Sequence, residues 1–255
     1  LLIKDLTLFG EILMLKICTV YHKGFYTPDY VDKFYRALKR NSTINFQRVC
    51  ISEDPNVEAD WVLPLNPHSN IKYHWHKLKF FSPDFAYQTP GDDIIVMDID
   101  QVITGNVDEL LRMPVKNNQL LTYEAWWDGK LKKNGGFYKF KSGTLKNVWD
   151  DFALNPEYWQ LHYYNEGIVH KKYYGEQNYV FNAVKDIKTV PGEWLFKYTN
   201  DSRENLELQM RYCQKYNVDY AVMGNVNEKI KIVHFAGPGK TIHDHKEDFI
   251  KDNWI

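Results

Sequence analysis

Apolar and polar positions alternate along this chain in a β-then-α rhythm. Residues 15–21 (LKICTVY) read as a buried strand, and Thr27-Pro28-Asp29 supplies an N-cap, a first-turn proline and an acidic start for a helix to about Arg40. Strands are predicted at 46–52 and 61–65, and a short helix at 74–81 closed by Ser82-Pro83. The stretch 93–98 carries Ile94, Ile95, Val96 and Met97 without interruption, the pattern of a central parallel strand buried on both faces. A short helix over 106–112, strands at 119–123 and 136–140, helices at 144–152, 176–184 and 203–216, and a last strand at 230–235 complete the series. A loop rich in Gly and Pro and a polar C-terminal helix follow. The alternation predicts an α/β fold: a doubly wound, mostly parallel sheet with ligand-binding loops at the carboxyl ends of its strands. No repeat or linker divides it, so residues 14–255 read as one domain. Residues 1–13 stand apart as an extension of uncertain status, because the chain opens on Leu1 and Met14 immediately precedes the first strand.

Composition narrows the function classes. At 255 residues the chain can bury a full core, and its net charge of -1 offers no electrostatic footprint for nucleic acid or an anionic membrane. Lys4, Asp5, Glu11 and Lys16 interrupt the apolar N-terminus, so neither a membrane span nor a secretory leader is expected. Cys18, Cys50 and Cys213 are odd in number and widely spaced, which suits a reducing, cytoplasmic setting and no zinc site. The aromatic share of 16%, with 8 Trp and 18 Tyr, fits either rings that stack on sugars and nucleobases or an aromatic-rich core.

The candidate chemistry begins at Asp98-Ile99-Asp100. About one D-x-D is expected by chance in such a chain, so context has to discriminate. Here the pair follows the apolar strand directly, and extended alternation aims both carboxylates to one side with Ile99 toward the core. Adjacent carboxylates repel unless a cation joins them, and Mn²⁺ or Mg²⁺ would take their oxygens together with those of a diphosphate. The other reading has both aspartates capping a turn. A second cluster, Val233-His234-Phe235-Ala236-Gly237-Pro238-Gly239-Lys240, also ends a strand. His234 there could reach the same ion, Gly237 lets backbone approach phosphate, and Lys240 adds a point charge.

The stretch 93–110 resembles the strand, D-x-D and short-helix signature of the glycogenin and lipopolysaccharide galactosyltransferase family, glycosyltransferase family 8. Trp75-His76-Lys77-Leu78-Lys79-Phe80-Phe81-Ser82-Pro83 is similar to its W-x-K-L-x-x-F-x-P segment, and Asn134-Gly135-Gly136-Phe137 to its N-[S/G]-G segment. Gly175-Glu176-Gln177-Asn178 resembles its [D/E]-Q pair, and His234-Phe235-Ala236-Gly237 with Lys240 its H-F-x-G-x-x-K ending. The first strand continues Thr19-Val20-Tyr21-His22, where the family usually carries Asn or Asp.

That resemblance implies a nucleotide-diphospho-sugar transferase (GT-A) fold and transfer of a hexose from a nucleoside diphosphate sugar, expected to be a UDP-sugar, to a glycan or other hydroxyl acceptor with retention. It implies that Asp98, Asp100 and His234 bind Mn²⁺ or Mg²⁺, and that Lys77 and Lys240 contact the diphosphate or donor sugar. Thr19 and Tyr21 would line the base. Gln177 would lie beneath the anomeric carbon with Glu176 beside it, and Asn134 and Gly135 would frame donor and acceptor. Two other classes compete. Residues 95–104 also resemble motif I of haloacid-dehalogenase-type phosphatases, with an aspartate nucleophile and a second aspartate as general acid, although Gln101 replaces the usual glycine. A non-catalytic sugar-binding module is the third reading. His74 and His76, two apart on a helix, should face different ways.

Overall fold

The structure, a computed structural model, describes residues 14–66, 68–128, 132–235 and 242–255; the N-terminal stretch 1–13 lies outside them. The first predicted strand is β1 (Leu15–Tyr21) and the first helix α1 (Asp29–Arg40). Asp29 and Asp32 in the first turn of α1 and Lys39 and Arg40 in its last complement the helix dipole, while Tyr30, Val31, Phe34, Tyr35 and Leu38 are buried. The N-cap position is Pro28, not Thr27, and no side chain caps the helix. The Thr27 carbonyl accepts from the Tyr30 N–H, and its hydroxyl turns to Asp29.

After α1 come β2 (Gln47–Ser52), β3 (Trp61–Pro64), a 3₁₀ helix (Tyr73–Phe81), β4 (Asp93–Met97), β5 (Gln101–Ile103) and α2 (Asp108–Arg112). Next are β6 (Gln119–Glu124), β7 (Lys133–Lys141), α3 (Asn147–Leu154), α4 (Pro156–Asn165) and α5 (Glu176–Ala183). The chain closes with β8 (Asp186–Thr189), β9 (Leu195–Tyr198), α6 (Ser202–Tyr216), β10 (Ile232–Phe235) and α7 (Asp248–Asn253). The main sheet has seven strands in the order β3-β2-β1-β4-β7-β6-β8. Within it only β7 runs antiparallel, between β4 and β6. A second sheet, β5-β10-β9, was not anticipated from the hydrophobic pattern. Among the described residues, no helix is long and apolar enough to cross a membrane.

The unbroken apolar run of β4 is explained by what lies on each face. Ile95 and Met97 join one core with α1, the second sheet, α6 and α7; Ile94 and Val96 join the other with Trp75, Leu78, Phe152 and Tyr179. A shift of one residue would exchange the two cores, so the register is firmly set. Ion pairs from Lys16, Lys139 and Lys141 anchor the amino end of this strand. Lys16 Nζ lies 2.7 Å from Asp92, and Lys139 Nζ lies 3.0 Å from Asp93 while also donating to the Leu111 and Met113 carbonyls. With its start held and its faces packed, β4 delivers its carboxyl end to a fixed place.

Candidate functional site

Asp98 is the first residue beyond β4, and Asp98-Ile99-Asp100 is the bend by which the chain leaves the main sheet for β5. Ile99 is 3% exposed, while the Asp98 and Asp100 side chains are 28% and 17% exposed, as the alternation requires. Strand β10 pairs antiparallel with β5 so that His234 stands opposite Gln101, and the Phe235 N–H donates to the Asp100 carbonyl at 2.9 Å. The consequence is convergence: ligand atoms of Asp98, Asp100 and His234 all lie within 4.8 Å of one another. His234 Nε2 is 3.5 Å from Asp100 Oδ1. Asp100 Oδ1 and His234 Nδ1 are buried with no hydrogen-bond partner among the described residues, an unusual state for buried polar atoms. Two carboxylates and an imidazole with an orphaned oxygen are a donor set that suits a divalent ion such as Mn²⁺.

The electrostatics are organised by Lys77, which the 3₁₀ helix carries into the site almost fully buried. Its ammonium pairs with Asp98, lies 4.0 Å from Glu176 Oε2 and donates to the Gly135 carbonyl at 3.1 Å. Burial alone would lower the Lys77 pKa, but Asp98 and then Glu176 carry it above its ordinary value. Burial likewise pushes Asp98 up, yet Lys77 and then His234 hold it below the usual carboxylate range. Asp100 goes the other way. Burial raises it, His234 opposes, and the neighbouring Asp98 charge adds to the rise. Glu176, 3% exposed, is pushed up to about 7 by burial and by Asp98, against the pull of Lys77.

Backbone geometry explains why two glycines adjoin the site. Strand β7 begins where β4 ends, with Met97 opposite Phe137, so Asn134, Gly135 and Gly136 reach the cluster. A Cβ on Gly136 would lie 2.6 Å from His234 Cε1, and one on Gly135 would lie 2.9 Å from Gln177 Cβ. Gly135 donates its N–H to Gln177 Oε1 at 3.0 Å, and Asn134 Oδ1 accepts from the Gly136 N–H at 2.9 Å. Glu176 and Gln177 are placed by the first turn of α5, whose entry at Gly175 has φ +111 and leaves no room for a Cβ against Tyr163.

The structure thus brings together Asp98, Asp100, His234, Lys77, Asn134, Gly135, Glu176 and Gln177. It does not bring Thr19 or Tyr21 to this cluster. Thr19 is fully buried, 3.2 Å from the Tyr35 hydroxyl, and Tyr21 packs in the core beneath α1. Gly237 and Lys240 lie outside the described residues. His76 is buried, and His74 is half-buried against the Tyr174 ring at 5.3 Å. Sequence reasoning missed two contributors. Tyr26 donates its hydroxyl to Asp100 Oδ2 at 2.7 Å, and a lone tyrosine in a loop gives no spacing signal. Gln101, fully buried, donates to the Gly136 carbonyl at 2.7 Å and accepts from the Tyr123 hydroxyl at 2.9 Å; its polar character before Val102-Ile103 was the available clue.

No protein-family profile and no curated protein matches the chain in sequence. Solved structures do match in fold. The glycosyltransferase GlyE of Streptococcus pneumoniae TIGR4 is 12% identical with a TM-score of 0.63, over 95% of this chain and 62% of that protein. The galactosyltransferase LgtC, solved with donor and acceptor sugar analogs, is 14% identical with a TM-score of 0.57, over 88% of each chain. The bifunctional glycosyltransferase WbbM is 14% identical with a TM-score of 0.59, over 94% of this chain and 49% of that one. The chain therefore spans about three fifths of the pneumococcal protein and half of WbbM. At such identities the likeness establishes the fold, which is the GT-A fold expected from the sequence.

Proposed function

We propose that the chain is a glycosyltransferase that moves a hexose from a nucleoside diphosphate sugar, a UDP-sugar, to a hydroxyl of a glycan or similar acceptor with retention, using Mn²⁺ or Mg²⁺. One observation carries this reading: Asp98 and Asp100, from the bend between the two sheets, and His234, from β10, meet within 4.8 Å at the carboxyl edge of a GT-A fold. The three solved structures named above are all of glycosyltransferases, one with donor and acceptor analogs, which supports it further. The phosphatase reading has less to stand on, since the third member of the cluster is a histidine rather than a further carboxylate.

Asp98, Asp100 and His234 would hold the ion, whose charge stabilises the departing nucleoside diphosphate. Lys77 contributes a fixed ammonium at the same place, suited to phosphate oxygens. Glu176, pushed up to about 7, is substantially protonated near neutral pH and adds less than a full negative charge beside the leaving group. Gln177 is held by its bond from the Gly135 N–H, and its role is to face the anomeric carbon, with Asn134 and Gly135 framing the sugar. Tyr26 orients Asp100. A panel of nucleotide-sugars screened for thermal stabilisation with and without Mn²⁺ tests the proposal. Stabilisation by a UDP-sugar that requires the metal supports it; no response to any nucleotide-sugar under either condition overturns it.

A further inference from the structure

A second concavity lies one strand away from the metal-binding cluster. It is a cavity of about 140 Å³ lined by Trp127, Lys197, Glu204, Glu207, Leu208 and Arg211. Its position follows from strand register. In the second sheet Lys197 on β9 pairs with His234 on β10, and His234 pairs with Gln101 on β5, so these side chains issue from neighbouring positions about 4.8 Å apart. Trp127 follows the carboxyl end of β6, whose Tyr123 pairs with Asn134. One lining residue, Lys197, is thus the strand neighbour of His234, and another, Trp127, lies four residues beyond the strand neighbour of Asn134.

The cavity wall is held in place. Trp126 serves as an internal wedge: its indole N–H donates to the Leu195 carbonyl at 2.8 Å, and its ring packs on Phe196 and Tyr212. Trp127 stands edge-on to that ring, with centroids 5.4 Å apart at 88°. Arg211 Nη1 donates to the Trp127 carbonyl at 3.3 Å, and Lys197 Nζ pairs with Glu204 at 2.9 Å. An indole beside two basic and two acidic side chains offers an apolar flank, hydrogen-bond donors and acceptors, and cancelling charge. That chemistry matches a ring with an apolar C–H face and neutral hydroxyls on its rim, and it does not favour a phosphate.

We propose that this cavity seats a neutral hexopyranose of the acceptor, with its C–H face against Trp127 and its hydroxyls shared among Arg211, Lys197 and Glu204. The inference rests on the glycosyltransferase reading and adds the substrate class of its second site. The test uses the full chain labelled with ¹⁵N at tryptophan, the Trp127 indole resonance being assigned with W127F. The protein, held with UDP and Mg²⁺, is titrated with the methyl glycosides of glucose, galactose, mannose and N-acetylglucosamine, and separately with glucose 6-phosphate. The expected result is a saturable shift of the Trp127 indole N–H with at least one methyl glycoside, weakened at least tenfold by Arg211→Ala. Arg211 is exposed, so that variant should fold. Silence of Trp127 toward every methyl glycoside, a shift indifferent to Arg211→Ala, or tighter binding of glucose 6-phosphate than of every methyl glycoside would overturn the inference. A prior titration with UDP and Mg²⁺ alone separates the two readings. If UDP does not bind, the transferase reading fails; if UDP binds and the acceptor test fails, only the cavity assignment is lost.

Discussion

Gly136 has no side chain in the place where His234 sets its imidazole: a Cβ there would lie 2.6 Å from Cε1 and 2.9 Å from Nδ1. His234 is buried and its imidazole lies 3.5 Å from Asp100, so it has little freedom to give way. Gly136→Ala should therefore displace His234 and weaken Mn²⁺ affinity about tenfold or more, while circular dichroism stays that of a folded chain. Unchanged Mn²⁺ affinity by calorimetry would remove His234 from the proposed ligand set.

Asp98→Asn and Asp100→Asn test the carboxylates directly. Each keeps the shape of the side chain and removes the charge that a cation needs. Mn²⁺-dependent UDP binding should fall at least about a hundredfold in both, on the order of 3 kcal/mol. Full affinity in both variants would dismiss the metal-binding assignment.

Glu176 predicts a pH dependence whose sign is unusual for a carboxylate. Its pKa rises from 4.5 to about 7 on folding, so between those values the folded chain binds more protons than the unfolded one. Its contribution to stability is neutral below pH 4.5 and becomes unfavourable as pH rises through 7, by about 3 kcal/mol in full. Glu176→Gln should then gain stability relative to the parent as pH goes from 5 to 8, measured by urea unfolding. A difference that is flat across that range counts against an uncharged, buried Glu176.

Gly175 enters α5 at φ +111, with Tyr163 Cβ 2.7 Å from where its own Cβ would be. Gly175→Ala meets both backbone strain and a clash with a packed ring. A loss of about 1–3 kcal/mol in unfolding free energy is expected, with reduced donor turnover because Glu176 and Gln177 ride on the next two positions. Wild-type stability would show that the turn tolerates a side chain.

What was legible in the sequence follows from length and covering. Strands β1 and β4 and helix α1 announce themselves because four or more of their side chains are buried, with charged residues marking ends of α1. Strands β5 and β9 are three and four residues long and give no periodicity, so the second sheet stayed hidden although it carries one side of the site. Helix α4 was missed for another reason: it buries only Gln160 and Tyr163, so it has no apolar stripe. The Asp98, Asp100 and His234 cluster was readable because D-x-D and H-F-x-G are patterns local in sequence. Tyr26 and Gln101 act through single contacts made by the fold, which no local pattern encodes.

Asp98, Asp100, Asn134, Gly135, Glu176 and His234 sit at strand ends, a helix start or a bend, Lys77 sits midway along the 3₁₀ helix, and none lies in the middle of the main sheet. The interior of that sheet asks only for apolar side chains of suitable volume facing two cores. Sequence and architecture can therefore drift apart: many different apolar side chains fill such an interior as long as its volume is kept. A chain can then overlay proteins with which it shares only 12–14% of its residues.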